Sequence, residues 1–350
     1  MSDLRQIATS LWPLWVLLVA LEGSLAAGVR EEIWQVLAQR QEAAHTASVA
    51  WQKESLVAGS TQPPDEHGNR QEDLALPRHP CTLIVSGNQA RFETQIASFA
   101  NKHRGVLIPH IDAFDGTNKQ TFSDGTSGPW GVIQESDSFE EWRNVNLYGL
   151  TLNLRPLRPE AFGTIPSDWN VEDRPAVVDG RACVVLTRPV EKAIYHAYFD
   201  RNAGDLLMRY EKTFVGRVAS RTDMRYDSMM EPPWLPVSWV TTFGSDRSVN
   251  EVEQVSLGIE VPDATFKIEY PAGTRISVLG SPRDAAKRGG VVSEKMFIVG
   301  EKGSLVPRRK VIAEETKNPE WALWPWTLAG IGVVVLAAAL LLRRRRSEAE

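Results

Sequence analysis

Short β-favouring runs broken by hairpin turns recur through most of the chain, and that rhythm allows few folds. Residues 82–85 and 90–96 flank Gly87-Asn88. Residues 106–114 reach Asp115-Gly116, and 119–122 reach Asp124-Gly125. Residues 176–178 and 181–186 flank Asp179-Gly180, a pair suited to the positive φ of a type I′ turn. Residues 194–199 and 206–214 flank the longer turn 200–204, and 218–226, 234–243, 252–259 and 265–270 continue the series. Residues 46–57 add an earlier strand around Val49 and Trp51, before a polar, proline-rich loop over 59–80. Strands at such intervals, joined by tight turns, predict an antiparallel sheet that curls.

Helical signals are few. Val29, Ile33, Val36 and Leu37 have helical spacing, with Glu31 and Glu32 in the first turn where they suit the helix dipole. Ser138-Phe139-Glu140-Glu141 is a capping box, which places Phe139 and Trp142 on one face of a short helix. Residues 129–169 are expected to cover one face of the sheet irregularly. The expected class is therefore α+β: a strongly curved antiparallel sheet, or half-barrel, with an N-terminal helix and a helical cover.

The two ends read as membrane-directed. An apolar run over 11–21 follows Arg5, and Ser24 and Ala26 stand at the −3 and −1 positions of a cleavage site, with Ala27 as an alternative end, the pattern of a secretory signal. Residues 321–342 are apolar apart from Thr327 and end in four arginines, 343–346. At about 1.5 Å per residue such a helix spans a hydrocarbon core of about 30 Å. Trp321, Trp324 and Trp326 would lie at one interface and the arginines at the cytoplasmic one. The expected division is 1–27 signal peptide, 28–279 β-rich domain, 280–320 stalk with room for an appended hairpin, 321–342 transmembrane helix and 343–350 cytoplasmic tail. This places a single-pass protein in the cytoplasmic membrane with its domain outside. Asn318-Pro319-Glu320 before Trp321 also resembles the sorting signals of the PEP-CTERM kind, which would be processed.

A net charge of −5 argues against a nucleic-acid partner, which usually meets a basic face. The two cysteines, Cys81 and Cys183, have neither metal-knuckle nor CxxC spacing. One long-range disulfide and two separate buried thiols both remain open. His110 and Asp112 lie two apart on a strand, on one face. With no third ligand placed by the sequence, a solvent-facing pair at a strand end is the favoured reading. No nucleophile-elbow, zinc-protease or phosphate-loop motif is present. Neither an enzyme nor a cofactor is expected. Trp34, Trp51, Trp130, Phe139, Trp142, Trp234 and Trp239 are the cavity-lining candidates. A ligand cavity and a filled core both remain open for the set.

In order, these elements resemble the LolA/LolB-like lipoprotein carriers and the related RseB-like and LppX-like domains over about residues 29–279. The matching features are Phe114-Asp115-Gly116, Asp179-Gly180-Arg181-Ala182-Cys183, the turn after Tyr198-Phe199, Trp234-Leu235-Pro236 and the ending Val261-Pro262-Asp263-Ala264-Thr265-Phe266. The resemblance implies an apolar cavity for acyl chains or a lipidated protein. The expected function is binding of a lipid, lipoprotein or other apolar ligand at a membrane. The alternative is an RseB-like sensor that acts through another membrane protein.

Overall fold

The computed structural model describes residues 26–57, 74–97, 106–125, 128–139, 141, 144–159, 161–280 and 294–307. The chain begins there with helix α1 over 26–43. Ile33, Leu37, Arg40 and Ala44 recur at helical spacing and, with Trp34, are the residues that it and its end bury.

Seventeen strands follow among the described residues. Two meanders make up most of the sheet. The first runs through β1 (Thr46–Val57), β2 (Leu74–Ser86), β3 (Gln89–Ala97), β4 (Leu107–Phe114), β5 (Asn118–Gly125) and β6 (Gly128–Glu135), each antiparallel to the last. The second runs through β9 (Arg181–Val190), β10 (Ala193–Asp200), β11 (Leu206–Phe214), β12 (Arg217–Arg225), β13 (Ser238–Phe243) and β14 (Asp246–Leu257) in the same manner. They join where β14 pairs with β1, which carries register shifts against both of its neighbours. Such bulges bend a strand and increase its twist. The short β7 (Asn170–Val171) and β8 (Ala176–Val178) both pair with β9.

The expected fold class needs correction. The structure is a large mixed sheet with few helices. Residues 258–274 cross the outer face of the first meander, and β15 (Arg275–Leu279) then runs parallel to β6. Phe266 and Ile268 are buried on that face, Gln120 accepts from the Ile268 amide at 2.9 Å, and the Tyr270 hydroxyl donates to the Val132 carbonyl at 3.2 Å. β16 (Glu294–Val299) and β17 (Leu305–Pro307) extend the sheet from β15. The cover is mostly irregular. Its α-helix, α2 (Tyr148–Leu154), lies beyond the expected capping box, and Glu140 and Trp142 are outside the described residues.

Among the described residues no helix is long and apolar enough to cross a membrane. The longest, α1, carries Arg30, Glu31 and Glu32 and buries one face only. This overturns the single-pass membrane placement. The segments that carried that expectation, 1–25 and 321–346, lie outside the described residues.

The core fills the concave face beneath α1 and the cover. Trp51, Leu83, Phe92, Phe114, Phe139, Leu150, Leu154, Phe162, Trp169 and Trp239 form one continuous cluster. Two buried arginines tie the helix to its surroundings. Arg155 donates to the Ala44 and His45 carbonyls at 2.6 and 2.9 Å, where α1 ends and its carbonyls lack intrahelical donors. Burial, and to a lesser degree Arg158, lower its pKa to about 10. Arg40 reaches the β10–β11 turn, donating to the carbonyls of Gly204 at 2.6 Å and Asp205 at 3.0 Å.

Candidate ligand site

The seven aromatic candidates do not line one space. Trp34, Trp51, Phe139 and Trp239 are buried in the main core. Trp51 stacks on Phe92 at 5.8 Å and packs on Trp239 at 5.8 Å, while Trp34 meets Phe162 at 6.1 Å and Trp169 at 6.2 Å. Trp130 is exposed on β6, and Trp142 is outside the described residues. Trp234 is half-buried beside a cleft of about 800 Å³ that it shares with Leu206, Tyr226, Arg40, Arg181 and Arg225. Of those arginines, Arg40 is engaged by backbone carbonyls and Arg181 by Asp200 at 3.0 Å.

Where the second meander runs past the end of the cover, the concave face opens into a pocket of about 390 Å³. Register places its walls together. Tyr195 on β10 lies opposite Arg188 of β9 and Lys212 of β11, and Ser220 of β12 lies opposite Lys212 and Phe243. Opposed residues share a sheet face, so these side chains converge. Tyr148, at the start of α2, closes the space from the cover, meeting Tyr210 edge-on at 5.4 Å. Tyr195 lies 6.1 Å from Tyr210. Burial raises the pKa of Tyr148 to about 12 and pushes that of Tyr210 well above the ordinary tyrosine value, so both hydroxyls stay neutral at ordinary pH. The charges here are cationic: Lys212 sits over the Tyr195 ring at 5.4 Å, and Arg188 lies at the edge, 3.9 Å from Asp168. The space thus has aromatic walls and a positive side. Volumes of roughly 300–1,000 Å³ with few polar groups are typical of small-molecule sites.

Sequence reading missed Tyr148, Tyr195, Tyr210, Arg188, Lys212 and Phe243. The alternation Tyr195-Ala197-Phe199 was visible, but its neighbours depend on register.

His110 and Asp112 differ from the solvent-facing pair expected. His110 Nε2 lies 2.7 Å from Asp112 Oδ2 and its Nδ1 lies 2.6 Å from Ser123 Oγ, while Thr121 donates to Asp112 Oδ1 at 2.7 Å. Ser123 is fully buried, so the trio offers no reachable nucleophile and acts as a strut between β4 and β5. Burial alone would raise the Asp112 pKa. The hydrogen bond and charge of His110, with help from Thr121 and Lys119, outweigh that and hold it below the ordinary carboxylate value. A depressed carboxylate adds stability above its unfolded pKa of about 3.9, and that stability is lost as pH falls through the lower folded value. Asp112→Asn should therefore cost about 1.5–3 kcal/mol near neutrality. Urea titrations at falling pH should show the gap from wild type closing in acid, and a gap independent of pH would contradict the assignment. Glu141, raised by burial and then by Asp112, works in the opposite sense, and Asp112→Asn removes the second of those causes.

Among the described residues no group of three or more His, Cys, Asp or Glu side chains could hold a metal ion. Cys81 and Cys183 are both free and buried. They belong to separate clusters, Cys81 with Trp51 and Leu83 and Cys183 with Val178, Leu206 and Met208, so the disulfide considered from sequence is not formed.

No protein-family model and no curated protein matches the chain. Among solved structures it overlaps a LolA superfamily protein from Nitrosomonas europaea at 13% identity and a TM-score of 0.37, covering 67% of this chain and 97% of that one. LprF from Mycobacterium bovis overlaps at 10% identity and a TM-score of 0.25, over 69% and 98% of the two chains. PNGF-II overlaps at 8% identity and 0.24, over 69% of this chain and 33% of that one. At these scores the overlaps say nothing about activity.

Proposed function

We propose that this domain binds an amphiphile with an acidic head, a lipid or a lipidated chain end, and does no chemistry on it. The carrying observation is the pocket whose walls are Tyr148, Tyr195, Tyr210, Val190 and Phe243 and whose polar side is Arg188 and Lys212. Aromatic walls favour an apolar body, and two cations favour an anionic head. The sequence resemblance to LolA/LolB-like carriers implies a ligand of the same chemical class. Residues 28–279 are proposed as the binding unit.

A fluorescent fatty acid and its methyl ester separate the two contributions. The acid should bind saturably and more tightly than the ester. Arg188→Gln with Lys212→Gln should weaken the acid roughly 10-fold or more, the scale of losing a charged hydrogen bond, and leave the ester unchanged. The thermal midpoint of the variant checks its folding. No saturable binding by the wild type, or equal binding of both probes, would refute this function.

A further inference from the structure

Three adjacent hairpin tips lie at one end of the second meander: 190–193, 214–217 and 243–246. The Val215 amide donates to the Lys192 carbonyl and the Gly244 amide to the Ala219 carbonyl, so the tips form one rim. Apolar side chains are exposed along it, Phe214 at 50%, Val215 at 71%, Val218 at 54% and Phe243 at 55%. They cannot all belong to an unfinished core. Phe214 pairs with Ala193 on the concave side, while Val218 pairs with Thr213 on the opposite face, as Ile194 does.

Val215 is the sharpest anomaly, with φ at 49°. A β-branched residue in the left-handed region is strained, and Asn, Asp or Gly normally fill such a turn. Exposure removes any packing reason for valine there. Charge identifies what the rim meets. Segments 188–194, 211–218 and 242–247 hold five cations, Arg188, Lys192, Lys212, Arg217 and Arg247, against three carboxylates, in a chain of net charge −5. Apolar tips backed by cations match an anionic lipid surface, whose interface takes apolar side chains and whose headgroups attract Lys and Arg. The rim is also continuous with the pocket, since Val190 and Phe243 belong to both.

We infer that this rim docks the domain onto an anionic lipid surface by shallow insertion of the strand tips. The inference deepens the proposed amphiphile binding by naming a lipid layer as the surface at which the ligand enters. Docking and pocket binding can fail separately.

The test uses the full chain with an environment-sensitive fluorophore on Ser245→Cys, exposed at the third tip, or on Thr117→Cys, exposed at the opposite end of the sheet. Both native cysteines are buried and leave the label specific. Phosphatidylglycerol vesicles should shift the emission of the tip label to the blue and leave the other unchanged. Phosphatidylcholine vesicles should do so at least 10-fold more weakly. Phe214→Ser with Val215→Asn should abolish the tip shift, yet keep stability, because Asn tolerates the backbone of Val215. Neither residue lines the pocket, so fatty-acid binding should persist in that variant. No shift at the tip, equal shifts at both labels, equal response to the two lipids or an unaffected variant would overturn the inference. So would a tip shift that grows with protein concentration without vesicles, which would mark a surface between copies of the chain.

Discussion

Trp51→Ala should destabilise the domain by about 3–5 kcal/mol, the usual cost of truncating a buried tryptophan. The position supports such a loss for three reasons. The side chain is 1% exposed and stands on β1, the strand that joins the two meanders. Its ring stacks on Phe92 from one meander and packs on Trp239 from the other, both at 5.8 Å. Its Nε1 donates to Asn250 Oδ1 at 3.1 Å, Asn250 is near Ser248 Oγ at 3.4 Å, and Ser248 donates to Asn146 Oδ1 in the cover at 2.9 Å. Truncation would leave a cavity under the seam and orphan a buried amide. Against a total of roughly 5–15 kcal/mol for a typical domain, the loss is severe. Urea unfolding followed by circular dichroism measures it. Trp51→Phe, which keeps most of the packing and loses the hydrogen bond, should cost less than half as much. A loss below about 1 kcal/mol for alanine would mean that the seam is held elsewhere.

The hairpins were legible because their turns are local chemistry: Gly87-Asn88, Asp115-Gly116 and Asp179-Gly180 each join two paired strands. The parallel β15 was not, because a long crossing over a sheet face has no local signature. Residues 265–270 show why. They read as a strand because Phe266 and Ile268 alternate toward the sheet, yet a 3-10 turn occupies Asp263–Phe266 and the next two residues are unpaired in any ladder. An extended chain lying flat on a sheet produces the same period of two as a strand within it. Helix α2 was hidden for the opposite reason. It buries Gly149 through Leu154 without interruption, so no polar face marks its period. The aromatic excess announced a large apolar interior, but whether those rings fill it or line it depends on how the cover packs. The pocket needed register: Arg188, Tyr195 and Lys212 meet only because β9, β10 and β11 pair as they do.

Gly149→Ala reverses the usual sign of its substitution. In an exposed helix interior alanine is favoured over glycine by about 1 kcal/mol. Here a Cβ would overlap Cγ and Cδ2 of Trp239. That ring cannot swing away freely. Its Nε1 donates to the Asn146 carbonyl at 2.9 Å, and the ring packs on Trp51 at 5.8 Å. The backbone is held too, since Asn153 Nδ2 donates to the Gly149 carbonyl at 2.9 Å. Overpacking of this kind costs about 1–3 kcal/mol, enough to erase the propensity gain and leave a net loss. Gly149→Val, with more bulk and a β-branch, should lose more. The cause is separable from general intolerance of the helix. If the clash is with the indole, shrinking the partner should relieve it, so Gly149→Ala combined with Trp239→Phe should cost less than the sum of the two single changes. A coupling of about 0.5–3 kcal/mol is the scale for residues in direct contact. Strict additivity would place the penalty in the backbone of α2, and a stabilised Gly149→Ala would show that the cover does not press its helix against Trp239.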